Sequence, residues 1–462
     1  MITSNVNKAA HAVSAPGKVL FTGGFLVLDR KHTGLVLGLD ARIHVVIEQW
    51  RTDIASEGNQ RSFILVQSPQ FTNARWLYEF DEAALDSPGF VKQVTDQSEV
   101  SQSSNKFVET TLRYVLSYLS VRGVAHSTAL KMTIMADEGY YSQSGTTSQG
   151  AGGFIKFGCE LSDAHKTGLG SSAALVTSLT TALISWYIED ADDNIPRHVI
   201  HNLAQAAHCA AQGKVGSGFD VAAAVFGACL YRRFTPAILE AVGDSTKEGF
   251  AERLRLCVDD LELKHKWDVE VSSSTVQMPK SMLLLMCDVD CGSETPGMVR
   301  KVLAWRKENP TDADLLWNAI QQGSDDLCST LTGLAKLDGI EERGFQELGD
   351  IIATIRSLVR EMSAKSDVPI EPRIITDLLD HCTAVPGVIG GVAPGAGGYD
   401  AVALLVRDDA RTVEELQERL RTWTAAREEG SGITIGRVQL LKVRQAYEGV
   451  RYDNVKRYAG WA

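Results

Sequence analysis

The fold is decided by the stretch Lys166-Thr-Gly-Leu-Gly-Ser-Ser-Ala173, which leads directly into an apolar segment with helical spacing, Ser171–Tyr187. Its two glycines, Gly168 and Gly170, let the backbone turn tightly and approach a ligand closely. Ser171 or Ser172 can cap the helix that follows. Free N–H groups and the positive end of the dipole at a helix N-terminus bind phosphate. The pattern therefore predicts either a phosphate-binding loop or an ordinary capped helix after a glycine turn.

Three further glycine-bearing motifs accompany this loop. In Ser14-Ala-Pro-Gly-Lys-Val-Leu-Phe-Thr-Gly-Gly24, Lys18 precedes a predicted buried strand, where its ammonium could reach a phosphate or simply lie at the surface. In Gly213-Lys-Val-Gly-Ser-Gly-Phe-Asp220, Asp220 is either a helix cap or a general base or magnesium-linked acid. The fourth motif, Gly390-Gly-Val-Ala-Pro-Gly-Ala-Gly-Gly-Tyr-Asp400, is either a tight turn or a close approach to a ligand.

Other nucleotide-binding signatures are absent from the sequence. A Walker A loop needs Gly-x-x-x-x-Gly-Lys followed by Ser or Thr, but His165 precedes Lys166 and Val19 follows Lys18. Neither a dinucleotide fingerprint nor the protein-kinase signature set occurs. A nucleotide would therefore have to be held by a glycine loop of another type.

Length and composition favour an acidic, cytoplasmic protein of more than one domain. The chain has 462 residues, 44% of them hydrophobic, and a net charge of -12. This length predicts two or three domains, and the acidic balance disfavours nucleic acid as a partner. No apolar run approaches the ~20 residues that span a bilayer, and neither end resembles a targeting segment. The eight scattered cysteines are expected to be reduced thiols.

Predicted strands and helices alternate irregularly along the chain, which indicates an α+β fold. The charged stretch after Arg233 predicts a domain boundary, with an N-terminal domain over 1–233 and a C-terminal domain over 234–462. Val19–Leu28 and Leu35–Ile47 are typical of strands, and Val221–Tyr231 of a further buried element. The Gly- and Ser-rich segment Glu138–Gly158 predicts a mobile loop with a function, at the mouth of the site.

The order and identity of the motifs resemble the three signature motifs of GHMP kinases (galactokinase, homoserine kinase, mevalonate kinase and phosphomevalonate kinase). They are Pro16-Gly17-Lys18, Gly168–Ala173 and Gly395-Ala396-Gly397-Gly398, and they span nearly the whole chain. Within that family, the chain looks most like the fungal phosphomevalonate kinases. The residues that carry this likeness are Lys166-Thr167, Gly23-Gly24-Phe25, Gly216-Ser217-Gly218-Phe219-Asp220 and Gly292-Ser293-Glu294-Thr295.

The resemblance implies a ribosomal-protein-S5-like N-terminal domain joined to a ferredoxin-like C-terminal domain, with ATP in the cleft between them. Gly168, Leu169, Gly170, Ser171, Ser172 and Ala173 would wrap the ATP phosphates, and Ser172 would also ligate Mg²⁺. Lys18 and Asp220 would act on the reacting groups. Ser293, Thr295 and the loop of Gly395, Ala396 and Gly397 would hold the acceptor, which the resemblance implies is phosphomevalonate.

Two positions depart from the pattern of related kinases. Mevalonate kinases carry a magnesium-binding glutamate near the position of His208, and imidazole is a poor ligand for Mg²⁺. We therefore interpret His208 as a helix-packing residue. The acidic residue that related kinases carry in the first motif is replaced by Gly24. This second departure weighs against a mevalonate kinase or a galactokinase.

An anionic acceptor needs a local positive charge in a protein of net charge -12. Lys18, Lys214 and Arg42 are the candidates, with Lys214 the predicted ligand of the acceptor phosphate.

Alternative functions are a GHMP kinase with an alcohol acceptor such as mevalonate, a related decarboxylase, or a non-catalytic ligand sensor on the same fold. Small molecules are the expected partners, with neither nucleic acid nor membrane among them, and the sequence does not indicate an oligomeric state.

Overall fold

The computed structural model describes residues 8–50, 61–95, 97, 100–124, 129–142, 147–188, 195–262, 264–273, 277–289, 291, 295–424 and 435–461. Its strands are β1 His11–Thr22, β2 Gly34–Gln49, β3 Arg61–Gln67, β4 Arg75–Asp81, β5 Val91–Val94, β6 Leu130–Ala136, β7 Ser148–Gln149, β8 Ile155–Lys156, β9 Cys229–Arg232, β10 Glu270–Ser272, β11 Met282–Val289, β12 Val388–Val392, β13 Ala401–Arg407, β14 Val438–Leu440, β15 Gln445–Ala446 and β16 Arg451–Asp453. Its α-helices are α1 Lys106–Val121, α2 Ser171–Tyr187, α3 Arg197–Gln212, α4 Phe219–Phe226, α5 Ala237–Glu240, α6 Phe250–Val258, α7 Thr295–Glu308, α8 Pro310–Leu334, α9 Glu342–Ser366, α10 Arg373–Thr383 and α11 Ala410–Thr422.

A ten-stranded sheet forms the larger half of the molecule. Its main path runs β10-β9-β2-β6-β3-β4-β5; β1 and β15 pair with β2, and β16 pairs with β1. The long strand β2 pairs with β1, β6, β9 and β15, all antiparallel, whereas β3 and β6 run parallel. Helices α1, α2, α3 and α6 contact one another in the layer that carries the core of this sheet. The central strand β2 thus connects the first motif, on β1, to the rest of the sheet.

Helix α2 lies at the centre of that layer because nearly all of its residues are small or apolar. Thirteen of its side chains are buried, and the helix packs on β1, β2, α1, α3 and α4. A helix that is apolar on all sides is expected in a protein interior. Its N-terminus, which follows the glycine loop, is consequently held in a fixed position.

A four-stranded antiparallel sheet in the order β12-β13-β11-β14 forms the second half. Strand β11 is buried on both faces, as a sheet covered on two sides requires. Leu283 and Leu285 pack with α10 and α11, whereas Leu284 and Met286 lie in the same core cluster as residues of α9. Helices α8 and α9 pack against each other beside this sheet.

The predicted α+β class is confirmed, but two predicted elements are wrong in extent. The strand expected over Val19–Leu28 begins at His11 and ends at Thr22, because Gly23 adopts a positive φ of 87° and a 3-10 turn follows. The apolar segment Val221–Tyr231 is a helix followed by a strand. Gly227, at a φ of 84°, separates the two elements.

The segment expected to be a mobile loop, Glu138–Gly158, contains two 3-10 turns and the β7–β8 hairpin where the structure describes it. Residues 143–146 lie outside the described part. The indole of Trp461 donates a hydrogen bond to the carbonyl of Ala151 at 2.7 Å, and Gly150 lies directly against that ring. The C-terminal segment therefore holds one end of this segment, and its mobility stays a prediction.

The division of the chain at residue 233 also stays a prediction. Past this point, β10 still pairs with β9, and β15 and β16 return to the larger sheet. No disulfide joins the eight cysteines in the described part of the chain. Every helix in the described ranges is too short or too polar to cross a lipid bilayer.

Candidate active site

The glycine loop forms the sharp turn that leads into α2. Gly168 and Gly170 adopt positive φ values of 73° and 84°, in the left-handed region that favours glycine. Gly170 is the residue before the first turn, so the cap predicted for Ser171 or Ser172 is wrong, and no side chain caps the helix at this position. The N–H groups of the first helical turn therefore face the loop, where they can donate to an anion.

Hydrogen bonds at Leu169, between the two glycines, and at Thr167, just before them, anchor the loop. The backbone N–H of Lys18 donates to the carbonyl of Leu169 at 3.0 Å. The hydroxyl of Thr167, a buried residue, donates to the carbonyl of Gly139 at 2.6 Å. The loop therefore holds its shape before any ligand arrives, which reduces the entropic cost of binding.

The side chain of Lys18 runs directly against Gly170. A Cβ on Gly170 would lie 2.9 Å from Cε of Lys18, so a side chain at this position would displace the lysine. Its Nζ donates to the carbonyl of Gly168 at 3.2 Å and lies 5.4 Å from the ring centroid of Phe219. Burial lowers the pKa of the Lys18 ammonium, and the negative charge of Asp220 offsets part of that shift. The structure thus places a cation against the glycine loop.

Asp220 lies in the first turn of α4, after Gly218 at a φ of 85°. Its side chain is 22% exposed, and Oδ1 accepts a hydrogen bond from the backbone N–H of Val221 at 3.0 Å. The turn before it is tied down, because Arg233 donates to two of its carbonyls and the Tyr231 hydroxyl donates to a third. The carboxylate is therefore held at a fixed place near Lys18.

His208 on α3 lies between Ser172 and Asp220. Its Nε2 is 3.0 Å from Oγ of Ser172, and its Nδ1 is 3.8 Å from Oδ2 of Asp220. The ring also stacks on Phe107, with centroids 5.7 Å apart. His208 is thus more than the packing residue that the sequence predicted, because it contacts two predicted site residues.

The third motif docks on the first. The N–H of Gly395 donates to the carbonyl of Leu20 at 2.9 Å, and a Cβ on Gly24 would lie 2.0 Å from the carbonyl oxygen of Gly395. Gly397 is equally crowded, because a Cβ there would lie 2.0 Å from the carbonyl oxygen of Ile370. The absence of a side chain at Gly24 therefore has a structural cause, which is the close approach of the third motif.

Two of the predicted site cations, Arg42 and Lys214, have surroundings that differ from those of Lys18. Arg42 is buried and donates to Oγ of Ser14 at 2.7 Å and to the carbonyls of Ser14 and Gly449 at 2.8 and 2.6 Å, so its prediction as a cleft cation is wrong. Lys214 is exposed and lines a cavity with Tyr114 and Cys209. Among its described lining residues, that cavity includes neither Lys18 nor Asp220. Lys214 as an acceptor ligand stays a prediction.

The predicted acceptor contacts at Ser293 and Thr295 involve residues 292–294, which lie outside the described part of the chain. Ser293 lies outside the described residues, and Thr295 is described only as the first residue of α7. Their predicted contacts with the acceptor stay predictions.

Comparison with known proteins identifies the family. Residues 146–228 match the family model described as GHMP kinases N terminal domain. The chain is 46% identical to a phosphomevalonate kinase of Aspergillus fumigatus, over 98% of this chain and 99% of the relative. It is also 46% identical to a phosphomevalonate kinase of Gibberella zeae, over 97% and 98% of the two chains. The chain belongs to the phosphomevalonate kinases of the GHMP family.

Solved structures agree with this family in fold. A Streptococcus pneumoniae phosphomevalonate kinase in complex with phosphomevalonate and AMPPNP superposes with a TM-score of 0.57 at 15% identity, covering 88% of this chain and 95% of its own. The mevalonate kinase of L. major with R-mevalonate gives 0.52 at 15% identity, covering 94% and 96%. These likenesses show that this phosphomevalonate kinase family member has the GHMP kinase fold.

Proposed function

We propose that this protein transfers the γ-phosphoryl group of ATP, in the presence of Mg²⁺, to 5-phosphomevalonate. The products are ADP and 5-diphosphomevalonate, in the mevalonate route to isoprenoids and sterols. The observation that carries the proposal is the contact between Lys18 and the glycine loop, which puts an ammonium beside a helix N-terminus. The relatives at 46% identity, both named phosphomevalonate kinases, support the choice of acceptor.

The proposed chemistry is mostly positioning and charge stabilisation, as in phosphoryl transfer generally. The ATP phosphates would be held by the backbone of Gly168–Ala173 and by the first turn of α2. Lys18 would stabilise the negative charge that develops on the transferred group. Lys18 is partly buried, which supports this role because charge interactions are stronger where water is partly excluded.

The acceptor needs little help from a base. A phosphate monoester has a second pKa of about 6, so it is largely ionised at neutral pH. Asp220 would then chiefly orient Lys18 and Mg²⁺, rather than remove a proton. Burial lowers the pKa of Lys18, and the negative charge of Asp220 offsets part of that shift.

The oxygen donors at the site fit Mg²⁺. The Ser172 hydroxyl and the Asp220 carboxylate both approach His208, and Mg²⁺ is commonly bound by one or two protein oxygens together with substrate phosphates and water. We propose Ser172 as the protein ligand. When bound, the ion would neutralise charge on the ATP phosphates.

The acceptor side of the proposal comprises Lys214, Ser293, Thr295 and the Gly395–Gly397 loop. The docking of this loop on Leu20 and Gly24 supports its part, because it brings the third motif to the end of β1. Lys214 is the part to test first. If it binds the acceptor phosphate, Lys214→Ala raises the acceptor KM roughly tenfold or more and leaves the ATP KM unchanged. An acceptor KM within about twofold of wild type removes Lys214 from the site.

We also propose a cytoplasmic location. The lack of disulfides among the described cysteines supports it, because reducing compartments disfavour disulfides in proteins. A fluorescent fusion that concentrates in an organelle would contradict this part of the proposal.

The function is tested by ADP release with four acceptors: phosphomevalonate, mevalonate, galactose and homoserine. Phosphomevalonate is expected to support turnover at a kcat/KM at least a hundredfold above the others. A higher value with mevalonate would assign an alcohol acceptor instead. ATP binding without ADP release on any acceptor would indicate a ligand sensor.

A further inference from the structure

His208 is a buried histidine whose two ring nitrogens face chemically different partners. The residue is 1% exposed on α3, and its ring is held on one face by Phe107. Two possible donors converge on Nε2: the hydroxyl of Ser172 at 3.0 Å and the amide nitrogen of Gln212 at 3.4 Å. A carboxylate oxygen of Asp220 faces Nδ1 at 3.8 Å. The two sides of the ring are therefore not interchangeable.

These partners select one tautomer of the neutral ring. An ionised carboxylate cannot donate a hydrogen bond, so the negative charge of Asp220 favours the ring proton on Nδ1, although 3.8 Å is too long for a direct hydrogen bond. In that tautomer Nε2 carries the lone pair and can accept a hydrogen bond from the Ser172 hydroxyl. A hydroxyl that donates its hydrogen bond to Nε2 keeps the lone pairs of its oxygen available for a metal ion or another donor. In the structure, Ser172 stands in the first turn of α2, beside the glycine loop.

We propose that His208 is a positioning residue that accepts the hydrogen bond of the Ser172 hydroxyl, so that the Ser172 oxygen is presented to the metal-bound nucleotide. This inference rests on the proposed binding of ATP and Mg²⁺ at the glycine loop. His208 itself does not touch the metal, which agrees with the preference of Mg²⁺ for oxygen ligands. It also links the metal ligand to Asp220, since the same ring faces both.

This role needs a hydrogen-bond acceptor at the position of Nε2, which an apolar side chain of similar size would not provide. Without an acceptor at the position of Nε2, the Ser172 hydroxyl would lose this partner and could rotate away from its present orientation. Partners that orient a metal ligand typically contribute about 10- to 100-fold to metal affinity. The effect should therefore appear in the Mg²⁺ dependence of nucleotide binding, and not in the binding of metal-free nucleotide.

The experiment compares His208→Gln with His208→Asn in the full-length protein. The side-chain amide of glutamine reaches about as far as Nε2, so its oxygen can accept from Ser172. The amide of asparagine reaches only about as far as Nδ1. Binding of a non-hydrolysable ATP analogue is measured by calorimetry over a range of Mg²⁺ concentrations and in EDTA. His201→Asn is the matched control, because His201 is a buried histidine on the same helix that contacts Asn202 instead.

We expect His208→Asn to weaken the Mg²⁺-dependent gain in affinity by about 10- to 100-fold, and His208→Gln to keep it within about threefold of wild type. Affinity in EDTA should stay within about twofold for both. His201→Asn should leave the Mg²⁺ dependence unchanged. Equal losses in Gln and Asn, or a loss that is the same with and without Mg²⁺, would overturn the proposal and leave a packing role.

A double-mutant cycle with Ser172→Ala tests whether His208 acts through the Ser172 hydroxyl. If His208 acts through Ser172, His208→Asn has no further effect on the Mg²⁺ dependence once the hydroxyl is gone. Additive effects would overturn the proposal. If His208→Asn does not fold, the cycle is run with His208→Gln and Ser172→Ala. A loss of Mg²⁺-dependent affinity in the His208→Gln single variant would then contradict the proposal. Because binding is measured without an acceptor, the result is independent of whether phosphomevalonate is the substrate.

Discussion

Gly24 and Gly395 are in such close contact that a Cβ on Gly24 would lie 2.0 Å from the carbonyl oxygen of Gly395. Real Cβ atoms do not approach a carbonyl so closely, so any side chain at Gly24 must displace the third motif or the turn after β1. A departure from related kinases in the sequence thus corresponds to a specific contact between the first and third motifs.

Gly24→Ala is therefore expected to lower kcat/KM for the acceptor at least tenfold, because it displaces the proposed acceptor loop. Steady-state kinetics with each substrate varied in turn check this. Gly333→Ala is the control: a Cβ there meets no atom within 4 Å, in the last turns of helix α8. It should keep full activity and gain about 0.5–1 kcal/mol of stability. Normal acceptor kinetics in Gly24→Ala would contradict the predicted role of the contact.

Two glycines of the phosphate loop form a matched pair for testing the place of Lys18. Both have positive φ, so alanine costs each about 1–2 kcal/mol of backbone strain. Only Gly170 has Lys18 against it, whereas a Cβ on Gly168 meets nothing within 4 Å. We expect Gly170→Ala to reduce kcat at least tenfold more than Gly168→Ala. Equal losses would mean that the Lys18 contact is irrelevant to turnover.

Lys18→Met should reduce kcat at least a hundredfold while the protein stays folded. Methionine keeps much of the apolar stem that lies against Gly170, but it removes the ammonium beside the glycine loop. Stopped turnover with an unchanged thermal midpoint is the expected pair of results. Lys442→Met, at a side chain 83% exposed, is the control and should be fully active. A kcat near wild type in Lys18→Met would exclude the role in charge stabilisation.

Asp137 gives the stability of the protein a predictable dependence on pH. Burial alone would raise its pKa, but the interactions with His44, Arg457 and the N–H of Arg42 together hold the pKa below its usual value. A carboxylate with a lowered folded pKa stabilises the fold above its unfolded pKa of about 3.9, and this contribution is lost as pH falls through the folded pKa.

Asp137→Asn is accordingly expected to lower the free energy of unfolding by about 1–3 kcal/mol at pH 7. The difference from wild type should shrink as the pH falls below about 4. Urea unfolding of both proteins at several pH values measures it. A difference that stays constant or grows toward acid pH would show that the carboxylate charge is not what stabilises this region.

Local patterns in the sequence are enough to predict the glycine loop and helix α2. The helix occupies the predicted range Ser171–Tyr187, because an apolar run after a glycine turn needs no distant partner to be recognised. The segment after Asp220 is ambiguous, since a short apolar run fits a helix or a strand equally well. The predicted strand over Val19–Leu28 misses the first residues of β1, where Ala12, Val13 and Ser14 pair with β16 at the other end of the chain.

The contacts within the site are harder to predict, because they join residues on different elements. Ser172 and His208 are 36 residues apart, and no spacing rule connects the start of one helix to the end of another. The sequence singles out His208 only as a poor metal ligand, whereas the structure places it against Ser172, the proposed ligand. The buried environment of Arg42 likewise arises from Gly449, at the other end of the chain.

The central claim is that the phosphate of phosphomevalonate receives the γ-phosphoryl group of ATP. Phosphorus-31 NMR of purified protein with ATP, Mg²⁺ and 5-phosphomevalonate tests it most directly, because it reports which bond forms. The account predicts that the phosphomonoester signal is replaced by the coupled signals of a diphosphate ester as ATP becomes ADP. A phosphomonoester signal that persists unchanged while ATP is consumed, or a new phosphomonoester formed from mevalonate at a higher rate, would contradict it.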